Sequence, residues 1–199
     1  MPVERHLRAL EAAVDGPMTL GQLTHRMHHA GFGLIVLFVC VPFLQPLPLA
    51  GLSTVFGVFI ALQGLQLVRG RPEPHLPGWL ARRTLEAKTL HLLLGAARRF
   101  FSLADRVTRP RWRRLAANER TVGAAWVLCG LALALPFPIP LSNMICATPA
   151  ALLALALLEE DGAIALLGWL GVLVMIAFHI GLLLLGAEGT RALWRALFP

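Results

Sequence analysis

Charge is what this chain has least of. Only 15% of its 199 residues are Asp, Glu, Lys or Arg, while 57% are hydrophobic; a soluble domain carries about 25% charged and about 45–50% apolar residues. The mean hydropathy is +0.68. Long stretches have no charge at all. None of the four charged types occurs from Met27 to Val68, from Thr121 to Leu158 or from Gly162 to Ala187. A run of about 18 or more residues with few or no charges is a candidate membrane span. This much apolar sequence exceeds what one globular core of this size can bury, so an integral membrane protein is expected.

Other absences narrow the function. Cys40, Cys129 and Cys146 stand far apart in apolar sequence with no CxxC pair, so buried, inert thiols are expected rather than a disulfide framework. There is no nucleophile elbow, phosphate-binding glycine loop, HExxH or aromatic nucleic-acid motif. The expectation is a protein that is not an enzyme and needs no cofactor. His25, His28 and His29 share a helical face, but no acidic residue or cysteine accompanies them in sequence, so no metal is expected there. His179 stands alone in the last apolar tract, where a hydrogen-bonded packing histidine and a proton relay are both open. The opening "MPVERHLRALEAAVDGPMTLGQLTHRMHHAG" is charged throughout and lacks the apolar core of a signal peptide, so insertion is expected to depend on the mature spans.

What charge there is has a side. Thirteen of the 18 cationic residues fall between Arg69 and Arg120, between the first two apolar tracts. Positive residues near span ends mark the cytoplasmic side and attract anionic headgroups. Lipid contact is therefore expected in place of nucleic acid.

The apolar tracts are broken where helices tolerate it least. Pro46 and Pro48 interrupt the first, and "LPFPIP" with Pro138 and Pro140 interrupts the second. Aligning Pro46 with Pro138 gives an interval of 92 residues that also matches Pro48 with Pro140, Gly31 with Gly123 and Gly70 with Gly162. An internal duplication is expected. The first limb, Gly31–Val41, has 11 apolar residues, about 16 Å of helix and half of a hydrocarbon core of about 30 Å. Proline-rich backbone at that depth is tolerated only inside protein or beside a wet cavity, so re-entrant hairpins are expected. Plain tight hairpins between two spans are the alternative, and Thr121–Leu135 and Leu141–Leu158 approach spanning length. Parallel and inverted repeats both remain open.

The prolines fix each break. Beyond it Gly51 precedes Ser53 and Thr54, which are available to cap a restarted helix, as Ser142 and Asn143 are in the second repeat. Broken helices turn free N–H groups and positive dipole ends into the membrane. The candidate substrate or ion site is therefore Gln45, Ser53, Thr54, Ser142 and Asn143, with Thr148 beside them. Gln66, three residues from Gln63 on one helical face, and the acidic Glu159 and Asp161 extend the candidates. For the acidic cluster a solvated helix end is the favoured reading and a cation or proton site the alternative; for the glutamines, helix-to-helix contact is the alternative.

The expected fold is an all-α membrane protein. A first hairpin covers 19–83, a basic cytoplasmic amphipathic segment 84–118, and a second hairpin with the C-terminal span 119–187. Residues 4–29 read as an interfacial helix pair broken near 15–17, 79–107 as a surface helix, and 163–186 as a conventional span. The tail "RALWRALF" reads as an interfacial anchor.

Several of these stretches together resemble one family. "TLGQLTHRMHHAGFGLIVLF", "PLPLAGLSTVFGVFIALQGLQLVRGRPEPHLPGWLARR" and "LPFPIPLSNMICATPAALLALALLEEDG" are similar to the exopolysaccharide-synthesis family ExoD, over roughly Thr19–Gly186. The matching positions are Gly31, Gly33, Pro46, Pro48, Gly51, Ser53, Gln66, Gly70, Pro138, Pro140, Asn143, Glu159, Asp161 and Gly162. His28 and His29 depart from the pattern. The resemblance implies a multi-pass protein of the bacterial inner membrane linked to exopolysaccharide production and, in some members, to alkaline tolerance. It carries over no catalytic residue. The function expected is a small transporter or permeation protein for an ion or an anionic, lipid-linked precursor. The alternative is a non-transporting accessory factor that docks a polysaccharide synthase or anionic lipid through its basic loop. Expected partners are the bilayer, anionic headgroups and a second copy of the chain.

Overall fold

The computed structural model describes residues 18–27, 29–45, 51–85, 118–135 and 141–197. Its helices are α1 (Leu20–Met27), α2 (His29–Cys40) continued by a 3-10 turn (Val41–Leu44), α3 (Leu52–Val68), a short α4 (Gly78–Ala81), α5 (Glu119–Ala134), α6 (Ser142–Glu159) and α7 (Gly162–Leu197). Two-residue strands β1 (Met18–Thr19) and β2 (Thr84–Leu85) pair antiparallel. This small ladder is the one departure from an all-α fold among the described residues. In the stretch expected to be helical over 79–107, the first three residues belong to α4, and strand replaces helix at Thr84–Leu85. The remainder of that stretch, like residues 4–17 and the basic positions 86–117, lies outside the described residues.

Glycines decide how the helices meet. A Cβ at Gly64 would lie 2.5 Å from the Gly123 carbonyl oxygen, and one at Gly57 2.6 Å from that of Gly130. Only bare backbone allows α3 and α5 to approach so closely. The pairing of 57 with 130 and 64 with 123 makes them antiparallel. α2 and α6 meet in the same sense: a Cβ at Gly33 would fall 2.7 Å from Leu158 Cγ and 3.3 Å from the Ala154 oxygen. α7 returns along α6, with Gly168 against Leu153 and Gly171 against Pro149.

The direction of the first hairpin follows from its ends. Gly31, at the start of α2, packs against Pro74, only a few residues beyond the end of α3. With 17 residues, α3 is about 25 Å long, and the residues from Val68 to Pro74 could not recover that distance if α2 and α3 ran the same way, since a chain extends at most about 3.6 Å per residue. α2 and α3 are therefore antiparallel. Because α3 opposes α5 and α2 opposes α6, both hairpins point the same way. The ends that flank residues 46–50 and 136–140 share one end of the bundle, and the open bases share the other. A bond from Thr54 Oγ1 to the Ala134 carbonyl, 3.1 Å long, ties the start of α3 to the end of α5.

Helix boundaries recur at an interval of 90 residues. α2 with its 3-10 turn covers 29–44 and α5 covers 119–134; α3 starts at 52 and α6 at 142. Each second limb starts after a residue of positive φ, Gly51 at 84° and Leu141 at 71°. Pro136, Pro138 and Pro140 form a triplet, which a proline pair can match at 90 as well as at 92. At 90, Gly33 against Ala154 becomes the counterpart of Gly123 against Gly64.

Two helices are long and apolar enough to cross a membrane, Ser142–Glu159 and Gly162–Gly186; Ala30–Leu44 and Leu52–Val68 are apolar but shorter. α7 runs unbroken for 36 residues, about 54 Å, so span and tail form one helix.

Candidate functional site

The eight candidate residues divide between the two ends. Gln45, Ser53, Thr54, Ser142 and Asn143 belong to the turn end. Gln66, Glu159 and Asp161 belong to the base, about 25 Å away along α3. They do not form one site.

At the turn end the starts of α3 and α6 stand beside the 3-10 turn, whose Phe43 packs edge-on against Phe56 with ring centroids 5.8 Å apart. Ser53 and Ser142 are buried, Asn143 is half-buried and Gln45 is exposed. The expected caps do not form at the N-cap positions: these fall on Gly51 and Leu141, and neither makes a side-chain cap bond. The helices begin one or more residues earlier than the hydroxyl pattern predicts. Ser53, Thr54, Ser142 and Asn143 therefore sit inside the first turns, and Thr54 spends its hydroxyl on Ala134 instead. By contrast α5 has a side-chain cap, with Asn118 Oδ1 accepting from Thr121 N at 3.3 Å. Pro46, Pro48, Pro138 and Pro140 lie outside the described residues. Thr148 is half-buried within α6.

At the base Gln66 works as a clamp. Its Nε2 donates to the His75 carbonyl at 3.1 Å and its Oε1 accepts from the His75 N–H at 2.7 Å, which fastens the segment after α3. His25 Nδ1 meets a Glu73 carboxylate oxygen and joins α1 to the same segment, an acidic neighbour that sequence spacing did not reveal. His28 lies outside the described residues. Asp161 accepts from Ala163 N at 2.8 Å and caps α7, after a tight turn in which Glu160 takes a φ of 54°. Glu159 and Asp161 are buried, at 1% and 2% exposure, so the acidic cluster is an interior feature and not a solvated helix end. Among the described residues no three His, Cys, Asp or Glu side chains group as a metal shell.

Three features went unread in the sequence. Trp126, fully buried, donates its indole N–H to the Ala150 carbonyl at 3.1 Å and locks α5 to α6. Gln63 is 1% exposed, with no hydrogen-bond partner for its Oε1 among the described residues. Cys146 Sγ approaches His179 Nε2 at 3.9 Å across 33 residues of sequence.

The family model described as "Exopolysaccharide synthesis, ExoD" matches residues 3–181. Protein ExoD of Rhizobium meliloti (strain 1021) is 32% identical over 161 residues, covering 78% of this chain and 67% of that protein. An uncharacterized protein of Synechocystis sp., slr1875, is 26% identical over 155 residues, 75% of this chain and 73% of its own. No solved structure matches.

Proposed function

This chain belongs to the ExoD family of exopolysaccharide synthesis, and from that premise we propose that it is a multi-pass inner-membrane protein that carries an ion, or an anionic, lipid-linked precursor, through the bilayer. One observation carries the reading: two helix starts emerge from proline turns at the same end of the bundle, without N-cap side chains and with Ser53 and Ser142 buried beside them. Helix N-termini favour negative charge, and hydroxyl and amide groups add neutral donors that release an anion as readily as they bind it. Embedding is supported by the outward apolar faces of the short helices, such as Val55, Val58 and Leu62 on α3 and Leu128 and Leu131 on α5. Polar and charged groups meanwhile turn inward, as they do in lipid. The shared boundaries at 90 residues support a duplicated hairpin. The reading needs no catalytic residue.

The test is exopolysaccharide output from a strain that depends on this chain for it. Ser53→Ala, Ser142→Ala and Asn143→Ala combined should lower output at least tenfold while the protein reaches the membrane in normal amount. Unchanged output would sink the transport reading.

The concentration of 13 cationic residues between Arg69 and Arg120 favours a second reading, an accessory factor docked on a synthase or anionic lipid. Reversing those charges would then abolish output, while the triple variant would leave it intact.

A further inference from the structure

The segment that joins α3 to β2, residues 69–83, is fastened to the base and charged on its outside. Gln66 clamps its His75, Pro74 packs on Gly31 and Ala81 on Gly21 of α1, and the Arg83 carbonyl accepts from Leu20 N at 3.0 Å. Arg69, Arg71, Arg82 and Arg83 nevertheless stay exposed. Among the described residues none of these four side chains makes an ion pair. The one carboxylate of the segment, Glu73, meets His25 Nδ1 instead. Between the two arginine pairs in sequence stands Trp79, 72% exposed. Ala81 faces α1, and two residues of helix turn the chain by about 200°, which carries the indole to the side away from α1.

We propose that this segment is a seat for anionic lipid headgroups, with the four guanidinium groups against lipid phosphate and Trp79 at headgroup level. Depth supports it. The segment follows directly on α3, whose outward face carries Val55, Val58, Leu62 and Leu65. That helix is about 25 Å long, close to the hydrocarbon thickness of about 30 Å, so Arg69 emerges where acyl chains give way to headgroups. The indole supports it independently. A large exposed apolar ring is unfavourable in water, whereas at the interface its body meets acyl chains and its N–H meets polar groups. Charge then selects the lipid. Four cations without carboxylate partners attract a headgroup of net negative charge, while in a zwitterionic headgroup the ammonium offsets the phosphate.

This inference rests on the chain being embedded in a bilayer, and not on what it carries. The full chain is reconstituted in vesicles of phosphatidylcholine and phosphatidylglycerol in equal parts, with one lipid at a time brominated on its acyl chains. Quenching of Trp79 is read as the difference between wild type and Trp79→Phe. Brominated phosphatidylglycerol should quench about threefold more strongly than brominated phosphatidylcholine, and high salt should shrink that preference. Arg69→Gln, Arg71→Gln, Arg82→Gln and Arg83→Gln combined should lose half of it or more, while the same four changed to lysine should keep it. If the glutamine variant fails to fold, the lipid preference and salt response of the wild type decide. Equal quenching by the two lipids would overturn the seat and leave the embedding intact. Quenching by neither would overturn both, and an undiminished preference in a folded glutamine variant would overturn the assignment to these arginines.

Discussion

Gly64→Leu is expected to abolish the folded bundle. A Cβ at this position falls 2.5 Å from the Gly123 carbonyl oxygen, 2.8 Å from the Val127 nitrogen and 2.9 Å from Trp126 Cβ. The first two are backbone atoms, which cannot rotate aside, so α3 and α5 must separate along their whole seam. Overpacking by a methyl or two costs about 1–3 kcal/mol, so Gly64→Ala should already lose about 3 kcal/mol. Leucine adds three more carbons to a contact with no room for the first, against a total stability of about 5–15 kcal/mol. Val58→Ala, on the outward face of the same helix, serves as the control and should change little. Size-exclusion profile and thermal unfolding in detergent are the readouts. A Gly64→Leu chain that elutes and melts like wild type would mean that the α3–α5 seam is wrong.

Trp126→Ala should be nearly as damaging, for a different reason. The indole is fully buried and is the largest such side chain in the bundle. Truncating a buried Trp to alanine costs about 3–5 kcal/mol, and here the Ala150 carbonyl also loses the indole N–H that bonds it at 3.1 Å. Trp126→Phe separates the two contributions. It keeps most of the packing and removes the donor, with an expected cost of about 1–3 kcal/mol. Equal unfolding midpoints for the phenylalanine variant and wild type would show that the hydrogen bond contributes nothing.

The apolar tracts, the proline breaks and the long final helix were legible in composition and punctuation, because a bilayer demands apolar length and proline interrupts a helix wherever it falls. Pairing was not. Gly57 and Gly64 lie seven residues apart, as do Gly123 and Gly130; that spacing marks two bare faces, yet it does not say which helix each face meets. An interval of 92 rests on matching a proline pair to a proline triplet, which also allows 90, the spacing at which the helix boundaries recur. The candidate site was legible as residue types and not as one place. Ser53 and Ser142 share an end of the bundle with the turns that flagged them, while Gln66, Glu159 and Asp161 lie at the other. Glu159 and Asp161 looked like a solvated terminus because charge near a Gly usually is; their burial depends on α2 and α6 meeting at the base, a contact no local pattern encodes. Cys146 and His179 are isolated residues until α7 folds back along α6.

The account turns on both proline turns lying at one end of a bundle that crosses a membrane. Single cysteines at Gln45, Leu141 and His75, all exposed, on a background without Cys40, Cys129 and Cys146, would be probed in sealed membranes of known orientation with an impermeant thiol reagent. Labelling of Gln45 and Leu141 from the same side, with His75 labelled only from the opposite side, is the predicted result. Labelling of Gln45 and Leu141 from opposite sides would contradict it, because hairpins that oppose one another cannot bring Thr54 to Ala134.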